Sequence, residues 1–310
     1  MDVVIFKTQK MQFLYKHYLH FYSNLIDKLD TIISPAVFQN SNFFSYNIYN
    51  YLFQKNIMSK DYDNNDLIAG YLKQGYVKLN NVPPNEIDDL VSILDKQNPL
   101  KTNKNYLYNY EINDVVLNKI KVIVNYYLSD FLDNFSKFYK MRVKLGKIRI
   151  SRNYPIPKNH NKEVYSNFFH SDAFTCNLLR VFVNLQDVSE TEGPMILVKN
   201  DKKKLFLKET NYKTRYKYDK IKNKDHYFIN SGSKGDVLLC NTTENLHRAG
   251  DIEEGKHRDM LFLDFLAYPF NDTSDFLNDE LLLSGEMIKK IAKPKGIKNL
   301  IEIYKKCKNK

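Results

Sequence analysis

A series of short β-favouring runs between residues 143 and 270 restricts the possible folds of this chain more than any other feature. Each run is rich in Val, Ile, Leu and Phe, and polar turns separate one run from the next. In order they are VKLGKIRIS, NLLRVFVNLQDV, PMILVKN, GDVLLCN and DMLFLDFLAYP. Because several short strands joined by turns are typical of a β-sandwich or barrel, we predict a mainly β domain here.

Helical patterns precede the strand-rich region. The stretch GYVKLNNV alternates polar and apolar side chains and predicts a half-buried strand at residues 75–82. PPNEIDDLVSILDK follows it, with prolines and acidic residues at its start and apolar residues at helical spacing, and predicts a helix. Residues 111–139 carry a further helical pattern. We therefore expect helices to support the β domain.

The chain divides into three predicted parts. Residues 1–62 predict a helical N-terminal extension, residues 63–270 the main domain, and residues 271–310 a basic helical C-terminal tail. Within the main domain, residues 201–226 contain ten Lys or Arg. This segment predicts a long polar loop between strands, of the kind that can cover a site.

The net charge of +11 and the pI near 9.2 suit an anionic partner. A genome with AT-rich codons gives the same excess of lysine, so the charge alone does not identify that partner. The sequence carries no DNA- or RNA-binding signature, and nucleic acid is not the expected partner.

The cysteines and the apolar runs bear on localisation. Cys176, Cys240 and Cys307 form no C-x-x-C pair, which fits a reducing compartment. The N-terminus MDVVIFKTQK is a poor signal peptide because lysines break its apolar run. No apolar run approaches the length that spans a bilayer. We expect a cytoplasmic protein without a membrane span, and the sequence does not indicate its oligomeric state.

The stretch FFHSDAF contains the most informative polar residues. His170 and Asp172 are two residues apart, so in an extended segment their side chains point the same way. Sites for redox-active iron often combine two histidines with one carboxylate. His247, which follows an apolar run in GDVLLCNTTENLHRAG, offers the second histidine. The alternative is a hydrogen-bonded His-Asp pair in a turn, with His247 a satisfied core residue.

An arginine follows His247 at a suggestive spacing. Arg258 comes eleven residues later and opens the next apolar run, so a hairpin would return it to the neighbourhood of His247. An arginine that points into a barrel needs an anion, since an unpaired buried charge is costly. The far carboxylate of a dicarboxylic co-substrate is such an anion. The alternative is a surface charge.

In this order, the motifs resemble the iron(II)/2-oxoglutarate dioxygenases of the phytanoyl-CoA dioxygenase type. The resemblance covers roughly residues 66 to 268 and includes GYVKLNNVPPNEIDDLVSIL, HSD, VFVNLQDVSETEGPM, KGDVLLCNTTENLHRAG and the arginine that follows. It implies a double-stranded β-helix, a distorted, cupin-like jelly roll with flanking helices.

The resemblance also implies roles for individual residues. His170, Asp172 and His247 would bind Fe(II), and Arg258 would pair with the distal carboxylate of 2-oxoglutarate. The family often places a Ser or Thr two residues after the distal histidine to support that carboxylate. Here the position is Ala249, so this contact must come from elsewhere or be absent.

Three further residues are candidates for binding the co-substrate or the substrate. Asn177 lies seven residues after His170, where some relatives have a polar residue near the co-substrate. Arg149 and Arg152 lie on the predicted strand before the HSD motif, and their alternative is a pair of exposed strand charges.

The implied reaction consumes O2 and 2-oxoglutarate, releases succinate and CO2, and hydroxylates a small-molecule substrate, possibly an acyl or anionic one. Relatives that halogenate lack the metal-binding carboxylate, so Asp172 favours hydroxylation. Two alternatives remain open, a hydroxylase of protein or nucleic acid and a non-catalytic β-barrel binding module. Selectivity would lie in loops such as residues 153–167 and 201–226.

Overall fold

We describe a computed structural model of the chain. It describes residues 66–79, 82–139, 142–160, 162–172, 178–209, 224–242 and 245–268. The predicted extension at residues 1–62, the predicted tail at residues 271–310 and Asn177 lie outside these ranges.

The described part of the chain combines five α-helices with ten strands. The α-helices are α1 (Asp66–Gln74), α2 (Pro84–Leu94), α3 (Asp114–Ile123), α4 (Ser129–Tyr139) and α5 (Asn200–Glu209). A π-helical turn (Val124–Leu128) joins α3 to α4, and short 3-10 turns span Glu190–Glu192 and Lys224–His226. The strands are β1 (Tyr76–Leu79), β2 (Leu100–Lys101), β3 (Leu107–Asn109), β4 (Arg142–Asn153), β5 (Leu178–Asn184), β6 (Met195–Val198), β7 (Tyr227–Asn230), β8 (Val237–Cys240), β9 (His247–Arg248) and β10 (Arg258–Tyr268).

The strands form two antiparallel sheets. The larger has seven strands in the order β1-β8-β5-β10-β4-β3-β2, and the smaller has three in the order β7-β6-β9. A bridge between His170 and His247 adds the HSD segment beside β9. The chain thus forms the predicted double-stranded β-helix, which is mainly β with flanking helices.

Successive side chains along β10 point to opposite faces of the larger sheet, and both faces are covered. Leu261, Leu263 and Phe265 are fully buried in a cluster that includes Ile87 of α2 and Ile120 of α3. The residues between them belong to the opposite face, which meets the smaller sheet. Burying a side chain of this size contributes about 1.5–3 kcal/mol, so the helix-covered face supplies much of the stability.

The predicted helices before the β domain are confirmed. Helix α2 starts at Pro84, where a missing amide hydrogen costs nothing, and buries Ile87, Leu90 and Leu94 on one face. Helix α3 is capped by Asn113, whose side-chain oxygen accepts a hydrogen bond from the Val116 amide at 3.0 Å.

The predicted loop at residues 201–226 is wrong for its first third, which forms α5. Phe206 and Leu207 are buried there, and the Phe206 ring packs edge-on against Phe169 at 5.0 Å. This packing stabilises a helix that the density of lysines conceals in the sequence. Residues 210–223 lie outside the described ranges.

Within the part of the chain that the structure describes, no helix is both long enough and apolar enough to cross a membrane.

Candidate metal centre

The two histidines predicted as metal ligands pair through their backbones. The His170 amide donates to the His247 carbonyl at 3.0 Å, and the His247 amide donates to the His170 carbonyl at 2.8 Å. His247 also pairs with Leu197 of β6, so both histidines belong to the smaller sheet. Neighbouring strands bring the two side chains together, and their ring centroids are 4.4 Å apart.

Both imidazole rings are oriented by the same kind of contact. His170 Nδ1 lies 2.8 Å from the Phe168 carbonyl oxygen, and His247 Nδ1 lies 3.0 Å from the Asn245 carbonyl oxygen. A carbonyl can only accept, so each Nδ1 carries a hydrogen, and each Nε2 is turned toward Asp172. Metal-binding histidines are usually oriented in this way.

Asp172 completes a compact set of donor atoms. Its Oδ1 lies 3.6 Å from His170 Nε2, and its Oδ2 lies 3.9 Å from His247 Nε2. One ligand atom from each of the three residues lies within 4.8 Å of the others. Burial and the nearby His170 lower the pKa of His247 to about 3, so this imidazole is neutral at pH 7, as metal binding requires.

Arg180 holds the aspartate and was not singled out in the sequence. Its guanidinium binds Asp172 through Nη1 and Asp264 of β10 through Nε at 2.5 Å and Nη2 at 3.0 Å. Burial alone would raise the pKa of Asp172, but Arg180 and the two histidines hold it well below its usual range. The carboxylate is therefore ionised at neutral pH. An arginine in the apolar run NLLRVFVNL was the available sequence signal for this residue.

The donor set opens into a cavity between the two sheets. Its volume is about 260 Å³, slightly below the roughly 300–1,000 Å³ that is common for ligand pockets. Its polar wall includes Arg149, Ser151, Asn153, Arg180, Arg248 and Arg258, and its apolar wall includes Phe182, Met195, Met260 and Phe262.

Arg258 lies in the wall of the same cavity. It is 4% exposed, and its Nε and Nη1 are buried without a hydrogen-bond partner among the described residues. Burial lowers the pKa of Arg258 to about 10, while Tyr165 opposes that shift and Arg248 adds to it. The guanidinium remains positive at neutral pH, and it needs an anion.

The remaining predicted residues fall into two groups. Arg149 and Ala249 line the cavity. Arg152 does not line it, because its guanidinium binds Asp259 through Nε at 2.8 Å and Nη2 at 2.6 Å. The structure therefore does not bring Arg152 to the site, and Asn177 lies outside the described ranges. His257 is likewise outside the cavity wall, with 41% of its side chain exposed.

The chain resembles known proteins in its three-dimensional structure but not detectably in its sequence. No protein-family model and no curated protein matches the sequence. Solved structures that resemble the chain include HygX from Streptomyces hygroscopicus with nickel and 2-oxoglutarate bound, at a TM-score of 0.47 and 12% identity over 65% of this chain and 86% of that one. They also include EctD from S. alaskensis with 2-oxoglutarate and 5-hydroxyectoine, at a TM-score of 0.46 and 14% identity over 67% of this chain and 78% of that one.

A third similar structure is the non-heme α-ketoglutarate-dependent epimerase SnoN from nogalamycin biosynthesis. Its TM-score is 0.46 and its identity 14%, over 71% of this chain and 95% of that one. All three TM-scores are below 0.5, and we draw no functional argument from them.

Proposed function

We propose that this chain is an Fe(II)- and 2-oxoglutarate-dependent dioxygenase that hydroxylates a small molecule. The observation that carries the proposal is the arrangement of one cavity. Two histidines and a carboxylate offer free donor atoms in its wall, and a buried arginine without a partner lies in the same wall. We assign this activity to the predicted domain at residues 63–270, and we assign the chain to the phytanoyl-CoA dioxygenase type on the order of its sequence motifs.

The donor set suits Fe(II). Two neutral imidazoles and one carboxylate are the ligands that non-heme iron oxygenases use, and they leave other coordination positions open. His170, Asp172 and His247 would hold the ion. Arg180 would keep Asp172 ionised and in position, and the two carbonyls would keep the imidazoles turned toward the metal.

The unpartnered arginine suits a dicarboxylate. Arg258 would bind the distal carboxylate of 2-oxoglutarate through charge-assisted hydrogen bonds, because two of its guanidinium nitrogens are buried without a partner in the described ranges. Ser151 of β4 would supply the second contact in place of Ala249. Its side chain lines the same cavity, is 1% exposed, and has an oxygen with no partner in the described ranges.

When bound, the metal and the co-substrate supply the oxidising chemistry, in which O2 and 2-oxoglutarate are consumed, succinate and CO2 are released, and a C–H bond of the substrate is hydroxylated. The chain itself orients both groups and keeps water out. Phe182, Met195 and Met260 form an apolar wall for this purpose. The presence of Asp172 favours hydroxylation over halogenation.

The two alternatives fit the site less well. A macromolecular substrate would have to present a side chain or a base to a cavity of about 260 Å³, a volume that suits a small molecule more directly. A non-catalytic binding module would have no need for three oriented donor groups and an anion-binding arginine together.

The proposal is tested by removing the donors one at a time. We expect His170→Ala, Asp172→Ala and His247→Ala each to abolish two signals. The first is the visible absorption band that forms when Fe(II) and 2-oxoglutarate are added without oxygen, and the second is the formation of succinate in air. His257→Ala is the matched control, because His257 lies outside the cavity and should keep both signals. Turnover of 2-oxoglutarate that survives all three donor substitutions would contradict the proposal.

A further inference from the structure

The cavity holds more buried positive than negative charge. Its wall includes Arg149, Arg180 and Arg258. Asp172 and Asp264 both form their ion pairs with Arg180, and among the described residues neither forms one with the other two arginines. Two guanidiniums on the inner face of the larger sheet are therefore left without a carboxylate partner among the described residues.

The other two cations at the cavity are already satisfied. Arg248 donates to Asp251 at 2.6 Å and to the Ala249 carbonyl at 2.9 Å, and Lys104 is exposed to solvent. Arg258 is buried and the Nε of Arg149 is shielded from solvent without a partner in the described ranges, so these are the cations that a ligand would neutralise.

Arg149 is held by an aromatic ring instead of an ion pair. Its Cζ lies 4.1 Å from the ring centroid of Phe262, the residue directly opposite on β10. Its Nε is closed off from solvent and has no acceptor within the described part of the chain. Burial lowers the pKa of Arg149, and the positive charge of Arg180 lowers it further. The ring fixes the guanidinium in place and leaves its charge available.

The two unneutralised arginines lie at different levels of the sheet. Arg258 is opposite Asn153, and Arg149 is four residues from Asn153 along β4, which is about 13 Å in an extended strand. In the proposed function, 2-oxoglutarate uses one carboxylate at Arg258 and the other at the metal. Neither carboxylate of the co-substrate is then left to neutralise Arg149.

Charge balance in the loaded site calls for one more negative charge. Arg149, Arg180 and Arg258 together with a divalent ion carry five positive charges. Asp172, Asp264 and the two carboxylates of 2-oxoglutarate carry four negative charges. The difference is positive, and Lys147, which lies opposite Asp264, adds to it, so the carboxylate of one further ligand would reduce this excess.

We propose that Arg149 binds a carboxylate of the primary substrate, an inference that rests on the proposed function. The substrate is then a small carboxylic acid whose apolar part lies against Phe182, Met195 and Phe262 of the same cavity. The guanidinium binds the carboxylate bidentately and orients the acid relative to the metal.

The experiment compares acids with their uncharged amides. Benzoate, phenylacetate and hexanoate are each titrated against the corresponding primary amide into the oxygen-free complex with Fe(II) and 2-oxoglutarate, with the shift of the visible band as the measure of binding. The enzymes compared are the wild type, Arg149→Gln and Arg152→Gln. Arg152 is the matched control, because it lies on the same strand but binds Asp259 outside the cavity.

We expect at least one acid to bind the wild type roughly 10- to 100-fold more tightly than its amide, as a charge-assisted hydrogen bond provides. Arg149→Gln should lose this preference and Arg152→Gln should keep it. Arg149→Gln should also bind 2-oxoglutarate as the wild type does, which shows at the same time that the variant is folded.

Two results would overturn the inference. One is the absence of any preference for acids over amides in the wild type. The other is a loss of 2-oxoglutarate affinity in Arg149→Gln as large as in Arg258→Gln, which would assign Arg149 to the co-substrate. Both leave the proposed function intact as long as the wild type binds Fe(II) and 2-oxoglutarate; failure of that binding would instead remove the proposed function.

Discussion

At the scale of single residues, Ser151 offers a hydroxyl where Ala249 lacks one. Both residues line the cavity with Arg258. Ser151 is opposite Met260, two residues along β10 from Arg258, and side chains two apart on a strand point the same way. The hydroxyl is therefore on the correct face of the sheet to support a carboxylate held by Arg258.

The proposed hydrogen bond from Ser151 to the co-substrate carboxylate can be removed by one substitution and replaced by a second hydroxyl at position 249. We expect Ser151→Ala to weaken 2-oxoglutarate binding by roughly fivefold, since one hydrogen bond contributes about 1 kcal/mol. Adding Ala249→Ser to that variant should restore part of the affinity. Titration of 2-oxoglutarate into the oxygen-free Fe(II) protein measures both effects, with Ser92→Ala on the exposed face of α2 as the control. Unchanged affinity in Ser151→Ala would exclude the contact.

The sequence predicts some of these residues and not others for a physical reason. His170 and Asp172 stand out because their two-residue spacing places both side chains on one side of an extended segment, whereas the roles of His247 and Arg258 were predicted from the order of motifs that resembles a known family. The role of Arg180 depends on Asp264, which is 84 residues away. A contact between such distant positions follows from strand pairing, and a single sequence does not reveal that pairing.

At the scale of elements, Arg180 connects three segments. It lies on β5, binds Asp264 on β10, and binds Asp172 in the segment that pairs beside β9. Its charge is buried, and both carboxylates depend on it. The arginine thus links the larger sheet to the candidate metal centre of the smaller one.

Loss of this arginine should be costly even without metal. We expect Arg180→Gln to lower the free energy of unfolding by about 3–5 kcal/mol, because it removes the guanidinium that pairs with both Asp172 and Asp264. Adding Asp264→Asn should recover part of the loss by removing one of those charges. Urea unfolding of the metal-free protein provides the measurement.

Arg152→Gln is the matched control for that experiment. It breaks an ion pair with one carboxylate, Asp259 on the neighbouring strand, whereas Arg180→Gln removes the partner of two carboxylates. The loss should therefore be smaller. An equal loss in the two variants would mean that the Arg180 network has no special role in stability.

Elements were predictable where the hydrophobic pattern is strong. The long apolar runs of β4, β5 and β10 and the amphipathic face of α2 are clear in the sequence. Helix α5 was missed because its stability comes from Phe206 and Leu207 packing against other segments, while lysines dominate its composition. The two-residue strand β9 is too short to show any pattern of its own.

At the scale of the whole molecule, the candidate metal centre and Arg258 lie between the two sheets. A ligand that binds there stabilises the folded chain only, since the unfolded chain does not hold these residues together. The double-stranded β-helix was predictable from the sequence as a class of fold. The order of its strands was not, because that order depends on pairings between distant runs.

Ligand binding should therefore raise the unfolding temperature. With Fe(II) at about 100 times its dissociation constant, the expected gain from the metal alone is roughly 2.7 kcal/mol. For a domain of this size that corresponds to a rise in Tm on the order of 5–10 °C. Oxygen-free thermal unfolding followed by circular dichroism measures the rise, and a chelator should reverse it. Asp172→Ala should show no rise, and a rise equal to that of the wild type would argue against the metal centre.

The reciprocal backbone hydrogen bonds between His170 and His247 have a consequence for reconstitution. The spacing of the two imidazoles is set by main-chain pairing, which does not depend on an ion being bound. Their Nδ1 contacts to the Phe168 and Asn245 carbonyls are equally independent of it. The empty site should therefore keep its shape, so that the protein can release its metal and take it up again without refolding.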